Sequence, residues 1–228
     1  MMEMVGREVR QAVRRLLRRP VFAGTALVTI ALGVGATTAI FSVVETVLLR
    51  ALPYEQGDRL VMIGHESLTD RLGMPDGGFL HYSARSRTLE EVGLWIESSG
   101  PVVGLGEPVE LGQIIASNSL LPTLGVEPVL GRGFVPEDHA AGADPVVIVS
   151  HGFWTRHLGA DPDAIGDPML PGSSQTVVGV LPEGFDFLRP EALVVFGNRF
   201  DAPDVYYPLS ELDPGTARFG NFMYHGVG

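Results

Sequence analysis

One long apolar stretch, residues 21–49, limits what this chain can fold into more than any other feature. Its only charged residue is Glu45, close to its end. A helix needs about 20 apolar residues to cross the hydrocarbon core of a bilayer, so the stretch is long enough to span one. Signal-peptide cores have only about 7–15 apolar residues, and they end at a cleavage site of small residues. We therefore expect a retained transmembrane helix over residues 21–50.

Charge is distributed unevenly on the two sides of this stretch. Residues 1–20 hold six of the 16 basic residues and two of the 27 acidic ones. The rest of the chain therefore has ten basic and 25 acidic residues, a net charge of −15. Arginine close to a first membrane span stays in the cytoplasm. The basic flank Arg14, Arg15, Arg18 and Arg19 thus predicts a cytoplasmic N-terminus near lipid headgroups, with the acidic C-terminal domain across the membrane, in a periplasm or outside the cell.

The acidic remainder also argues against nucleic-acid binding, which needs clustered basic side chains. Cysteine is absent, which excludes a disulfide framework, a thiolate metal site and a lipid-modified cysteine anchor. Residues 3–19 place apolar side chains at a spacing of three to four, with Arg on the other faces. We expect residues 1–20 to form a basic amphipathic helix at the cytoplasmic surface of the membrane.

Small residues form a stripe along the expected membrane helix. Ala31, Gly35 and Ala39 recur every four residues, and Ser42 lies near the same stripe. Such spacing lets a second helix approach closely, although Gly and Ala are also simply common in membrane helices. The chain contains no second long apolar stretch. We interpret the stripe as a packing face for partner helices.

Residues 51–228 read as an α+β domain, because short strands and helices alternate along them. Buried or alternating apolar runs predict strands over residues 60–64, 101–105, 109–116, 146–149, 176–181, 204–209 and 222–227. Helical pieces are expected at residues 79–86, at 89–95, after a cap at Asn118 or Ser119 as far as Leu124, and over 151–158 after a Ser150 cap. Residues 66–78 read as a loop. The last predicted strand has no visible stop signal after it, so we expect the chain to be a fragment of a longer protein.

No combination of residues in the sequence predicts catalysis, a bound cofactor or a metal. His151 and His157 are six residues apart, about 600° of helix rotation, and so lie on different sides. Ser150 lies between a strand and a helix, but Val149 and His151 replace the Gly residues that a nucleophile elbow requires. We interpret it as a helix cap. Neither a dinucleotide-binding loop nor a phosphate-binding P-loop occurs.

The order of several motifs resembles the MacB/FtsX-type ABC transporter permeases. The first part resembles the start of such a permease, and the rest resembles the MacB-like periplasmic core domain that follows it. The matching pieces are residues 15–22 (RLLRRPVF), 29–44, 47–54, 82–89 (YSARSRTL), 117–128 (SNSLLPTLGVEP), 130–134 (LGRGF), 147–154 (VIVSHGFW) and 176–182 (TVVGVLP).

This resemblance implies one transmembrane helix, a large extracytoplasmic domain and then three more transmembrane helices. It implies that the permease works by mechanotransmission, in which a separate or fused ATPase moves the periplasmic domains in export, efflux or envelope transport. ATP would be used only by that partner, and the family offers no catalytic residues. The implied partners are an ABC ATPase, other permease segments or a second permease copy, and a periplasmic adaptor. The sequence departs from the family in the hairpin of residues 167–175, which carries two Pro, and in having no three-helix module.

Two other readings remain open from the sequence. The chain could be a membrane-tethered periplasmic interaction module that does not transport, or a truncated remnant of a permease gene. The downstream coding sequence would separate these readings from the first, since a split permease needs further spans and an ATPase.

Overall fold

The structure, a computed structural model, describes residues 19–44, 54, 57–66, 71–102, 109–185, 187 and 202–228. It divides into two compact units, Met1–Ala51 and Leu52–Gly228. Most of the predicted amphipathic helix, including Arg14, Arg15 and Arg18, lies outside the described residues.

In the first unit, the described residues form one helix, α1, at Pro20–Val44. Pro at the first helical position is favourable, because its missing N–H has no partner there in any case. Within this helix, residues 20–42 are long and apolar enough to cross a membrane, and this is the one such helix among the described residues. The helix thus begins one residue before the predicted span, and residues 45–50 of that prediction lie outside the described part of the chain.

The second unit is built on a mixed eight-stranded sheet with short helices. Its helices are α2 (Asp76–Arg85), α3 (Leu120–Thr123) and α4 (His151–His157). The strands among its described residues are β1 (Met62–Ile63), β2 (His65–Glu66), β3 (Arg71–Leu72), β4 (Gly93–Val102), β5 (Val109–Ala116), β6 (Leu130–Gly131), β7 (Val146–Val149), β8 (Thr176–Val180), β9 (Val205–Pro208) and β10 (His225–Val227). The α+β expectation is confirmed.

Strand order in the large sheet is β1-β10-β4-β5-β9-β7-β8-β6, and β2 pairs with β3 as a separate ribbon. The β5–β9 and β7–β8 pairs are parallel, and the other pairs are antiparallel. Because β10 lies between β1 and β4, β10 is internal to the sheet. Among the described strands, β1 pairs only with β10 in this sheet.

Two apolar clusters cover the two faces of the sheet, and alternate residues of β7 point into each of them. Ile148 packs in one cluster with Trp95 and Tyr206, whereas Val147 and Val149 pack in the other with the α4 residue Phe153. A strand buried on both faces must be apolar at every position, which is why residues 146–149 are a continuous apolar run. The strand predicted there is confirmed.

Where β6 meets β8, the backbones approach so closely that only Gly fits. Gly131 pairs with Gly179, and a Cβ built on Gly179 would collide with the carbonyl oxygen of Arg132. The pairing of β7 with β8 shifts register between Val147 and Ile148. Gly131, in the LGRGF motif of residues 130–134, therefore allows β6 to pair closely with β8.

The prediction of helix over residues 89–95 is wrong. β4 begins at Gly93, and Val92, Leu94 and Trp95 are all buried. Leu89, Val92 and Trp95 recur at three-residue spacing, which suits a helix, but pairing with β5 and β10 buries both faces of this segment as a strand.

The other boundary predictions need smaller corrections. The predicted loop at residues 66–78 contains β3 and the start of α2, which begins at Asp76 rather than at residue 79. The strands predicted at 60–64 and 222–227 shorten to β1 and β10. In the hairpin of residues 167–175, Met169 and Leu170 are buried, and the amide of Met169 donates to the carbonyl of Gln175 at 2.8 Å.

Candidate functional site

The predicted packing face on α1 is open in the structure. A Cβ built on Gly35 meets nothing within 4 Å, and Ala31, Ala39 and Ser42 are exposed. These residues lie at the predicted helical spacing, but no second helix of the first unit is described. Partner packing at this face therefore stays a prediction. Arg19 is exposed at the start of the helix.

Threonine side chains on α1 form hydrogen bonds inside the helix. Thr29 Oγ1 donates to the carbonyl of Thr25 at 2.9 Å, and Thr37 Oγ1 donates to that of Gly33 at 2.9 Å. A hydroxyl without a partner costs free energy in hydrocarbon, so these bonds make the polar positions compatible with a lipid environment.

In the second unit, a groove of about 590 Å³ lies beside β1 and α3. Its rim carries an exposed ion pair, with Arg59 Nη2 at 3.0 Å from Glu90 Oε2. Burial, and then the charge of Glu90, raise the pKa of Glu91 in its wall. Its other lining residues are Leu60, Val61, Thr88, Leu89, Pro122, Thr123, Gly125 and Gly228.

A smaller groove of about 320 Å³ lies between α2 and the segment that follows β9. Apolar residues dominate it, and His139 lies in its wall, buried. The Nδ1 atom of His139 is 2.5 Å from the carbonyl oxygen of Leu209. A carbonyl can only accept, so Nδ1 carries the proton and donates. His139 thus attaches the segment after β9 to the rest of the unit.

The turn before His139 is held by a two-bond ion pair. The two nitrogens Nη1 and Nη2 of Arg132 donate to Asp138 at 2.6 and 2.9 Å, and the amide of Val135 donates to the same carboxylate at 2.9 Å. The hydrogen bond from Arg132 is the main cause that lowers the pKa of Asp138 below its usual value. Asp138 is therefore a structural anchor of this turn.

Ser150, His151 and His157, the candidates for catalysis or metal binding in the sequence, have structural roles. Ser150 Oγ accepts from the amide of Phe153 at 3.0 Å, so the predicted cap of α4 is confirmed. His151 packs against Trp154, and His157 packs against Phe153, with ring centroids 5.3 and 4.8 Å apart. Among the described residues, no group of three or more His, Asp or Glu side chains is placed to hold a metal ion.

The serines at residues 117 and 119 form a buried network that differs from the predicted cap of α3. Ser119 makes no capping bond, because its hydroxyl donates to the carbonyl of Val92 at 2.6 Å. Ser117 Oγ accepts from the amide of Leu94 at 2.9 Å and lies 2.9 Å from Ser119 Oγ. Since the Ser119 proton is already used, Ser117 donates to Ser119. The network attaches the start of β4 to the end of β5.

Sequence reasoning also missed two buried imidazoles, those of His139 and His225, and the partly buried one of His65. His65, His139 and His225 each have a ring nitrogen that is buried and has no hydrogen-bond partner. Their burial depends on contacts far along the chain, such as that between His139 and Leu209, so no local pattern marked them.

Comparison with protein families gives one match that spans both units. The family model described as the MacB-like periplasmic core domain matches residues 23–224. That range begins inside α1 and ends just before β10. Comparison with curated protein sequences gives no match.

Three solved structures are similar to this chain at low sequence identity. A domain of a proposed permease protein from Porphyromonas gingivalis has 17% identity and a TM-score of 0.52, with 76% of each chain covered. The extracellular domain of the ABC-type transporter YknZ from Gram-positive bacteria has 16% identity and a TM-score of 0.45, covering 74% of this chain and 80% of that one. The periplasmic region of MacB from Actinobacillus actinomycetemcomitans has 13% identity and a TM-score of 0.46, covering 74% and 72%. At these identities the first likeness bears on the fold alone.

Proposed function

This chain belongs to the family of MacB-like periplasmic core domains of ABC-type transporter permeases, and we propose that it is the N-terminal part of such a permease. In this proposal α1 anchors the chain in the bacterial inner membrane, and the second unit lies on the extracytoplasmic side. A partner ATPase drives the transporter by mechanotransmission in export, efflux or envelope transport.

One observation carries the proposal: a single family match runs from within the membrane-length helix through nearly all of the following unit. The charge distribution supports the orientation, since the Arg-rich residues 1–20 precede the helix and the acidic remainder follows it. The chain itself has no P-loop, so ATP hydrolysis belongs to the partner, and we propose no catalytic activity for this chain.

The orientation can be tested with single cysteines, because the natural chain has none. Ala141 is exposed on the second unit, and Gly6 lies in the N-terminal region. We expect a membrane-impermeant maleimide to label an Ala141→Cys variant in intact cells and a Gly6→Cys variant only after lysis. The reverse pattern would contradict the proposed topology.

The transporter role needs a separate test, since an anchored interaction module would have the same topology. We expect the tagged full chain, purified from native membranes, to carry with it an ABC ATPase and a protein with further transmembrane helices. Copurification with an extracytoplasmic protein alone would favour the interaction module. Copurification with neither would contradict the proposal.

We expect a Gly35→Leu substitution to weaken assembly with the partner helices, because Leu fills the gap through which two backbones approach. The measurement is crosslinking of the full chain to its membrane partner. A matched control is Leu32→Ile, which changes an exposed apolar residue of α1 without adding volume at the small-residue face. Insertion into the membrane should not change in either variant, and equal crosslinking in both would exclude this face.

A further inference from the structure

Two buried histidines, His139 and His225, and the partly buried His65 lie at contacts between the C-terminal segment, residues 209–228, and the rest of the second unit. His139 donates to Leu209 at its beginning. The ring of His65 lies 5.4 Å from that of Phe222, measured between centroids. His225 belongs to the segment itself and stacks on Trp95 with centroids 5.2 Å apart. The rings of the other three histidines, His81, His151 and His157, contact aromatic residues of their own helices.

The three histidines that hold the segment share a second property. His65 Nε2, His139 Nε2 and His225 Nδ1 are buried and have no hydrogen-bond partner. A proton added to such a nitrogen creates a positive charge and an N–H donor in a place without an acceptor. Burying an unpaired charge is costly, so protonation favours any state in which the ring reaches water.

The surroundings of the three rings differ in charge. His139 lies beside Asp138 and Glu137 on its own turn and lines the same groove as Glu211. Asp138 is already paired with Arg132.

His65 faces the phenol ring of Tyr82, and its chain neighbour on β2 is Glu66. His225 is packed on Trp95, whose Nε1 is itself buried without a partner. Burial alone lowers the pKa of His225, and no charged group contributes to that shift. A proton added to His225 in place would therefore be a buried charge without a partner.

The segment is attached by few backbone bonds. β10 has three residues, which pair with two residues of β1 and three of β4. Outside the strand pairs, the amides and carbonyls of Met74 and Tyr224 are joined, and so are those of Val61 and Gly228. Single backbone bonds also join Leu209 to Ala116, Glu211 to His139 and Arg218 to Gly77. Segments with few bonds open locally at a lower free energy than the whole unit. Because β1 reaches the sheet only through β10, opening would detach both strands.

We propose that mild acid releases the C-terminal segment from the sheet, and that protonation of His225 drives the opening. In the open state β4 becomes the edge of the sheet. The release is a property of this chain, and only its use as a pH response outside the cytoplasm rests on the proposed function.

Hydrogen exchange of the full chain in detergent micelles, at pH 7.5 and 5.5, tests the release. A histidine that is neutral when closed and titrates near 6.5 when open raises the opening constant about tenfold by pH 5.5. We expect the protection of the Tyr224 and Gly228 amides, corrected for intrinsic exchange, to fall about tenfold, while that of β7 stays unchanged. An unchanged segment would overturn the proposal. So would an equal fall in β7, because that would be unfolding of the whole unit.

Variants assign the effect to its residue. His225→Phe keeps an aromatic ring against Trp95 and cannot titrate, so we expect the pH dependence of segment protection to be lost. His81→Phe, at an exposed position of α2, should keep the tenfold fall. If His225→Phe does not fold, His225→Gln takes its place, since its amide also does not titrate. A tenfold fall that persists in whichever of these variants folds would overturn the role of His225.

Discussion

The centre of the large sheet and its β1–β10 side are built on different principles. Around β7, the stability comes from apolar side chains buried on both faces, with an N-capped helix covering one of them. On the β10 side, strands of two and three residues are combined with the buried imidazole of His225, whose Nδ1 has no hydrogen-bond partner. Apolar burial is insensitive to pH, whereas an unpartnered imidazole is tolerated only while it is neutral. The same unit therefore combines a region whose stability is insensitive to pH with one whose stability depends on pH.

The largest effect is expected from a Phe153→Ala substitution at the centre. Phe153 is completely buried between α4 and β7, and truncating a buried Phe typically costs about 3–5 kcal/mol. Phe219, on the C-terminal segment, is 65% exposed, so Phe219→Ala should cost less than about 1 kcal/mol. Pulse proteolysis of the full chain in micelles, across a urea series, measures both. Equal losses would remove the contrast between the two regions.

An Asp138→Asn substitution tests whether charge supports the turn that holds Leu209. The variant loses the ion pair with Arg132, and hydrogen bonds to charged groups are worth about 1.5–3 kcal/mol. Because the pKa of Asp138 is lowered in the folded state, its contribution is present above its unfolded pKa, near 3.8. That contribution is lost as the pH falls through the lower folded pKa.

The natural protein should therefore lose stability in this acid range, and the Asn variant should lose less. Urea unfolding at pH 6 and pH 3 measures the difference between them. Glu137→Gln is a suitable control, since Glu137 is exposed on the same turn. An acid loss of the same size in Asp138→Asn and in the natural protein would exclude Asp138 as its source.

How much of this could be read from the sequence depends on how local the cause is. The β7 strand and the Ser150 cap were predictable, because a run of four apolar residues and the cap that follows it are adjacent in the chain. The strand at residues 93–95 was not predictable, because the spacing of its apolar residues also suits a helix. Only its pairing with distant strands makes it a strand. The burial of His139 could not be predicted for the same reason, since its partner, Leu209, is 70 residues away.

The serine network gives a further test of a contact that sequence reasoning missed. In a Ser117→Ala variant the amide of Leu94 stays buried but loses its acceptor, and an unsatisfied buried group costs about 1–3 kcal/mol. Asn118→Ala changes the exposed residue beside it and should cost no more than about 0.5 kcal/mol. The free energy of unfolding in urea distinguishes them. A larger loss for Asn118→Ala would restore the predicted capping role of that residue.

The smallest effect is expected at Ser150, and it returns to the centre of the sheet. Ser150→Ala removes the acceptor for the amide of Phe153, and the loss of an N-cap costs about 1 kcal/mol. Ser150→Asp keeps an acceptor at the cap and should retain most of that stability. If apolar burial stabilises the centre of the sheet, hydrogen exchange of β7 should stay slow even in the Ser150→Ala variant. The reason is that Val147 and Val149 stay packed with Phe153 in one apolar cluster. A rise in β7 exchange as large as that caused by Phe153→Ala would mean that the cap, and not the buried ring, keeps α4 on the sheet.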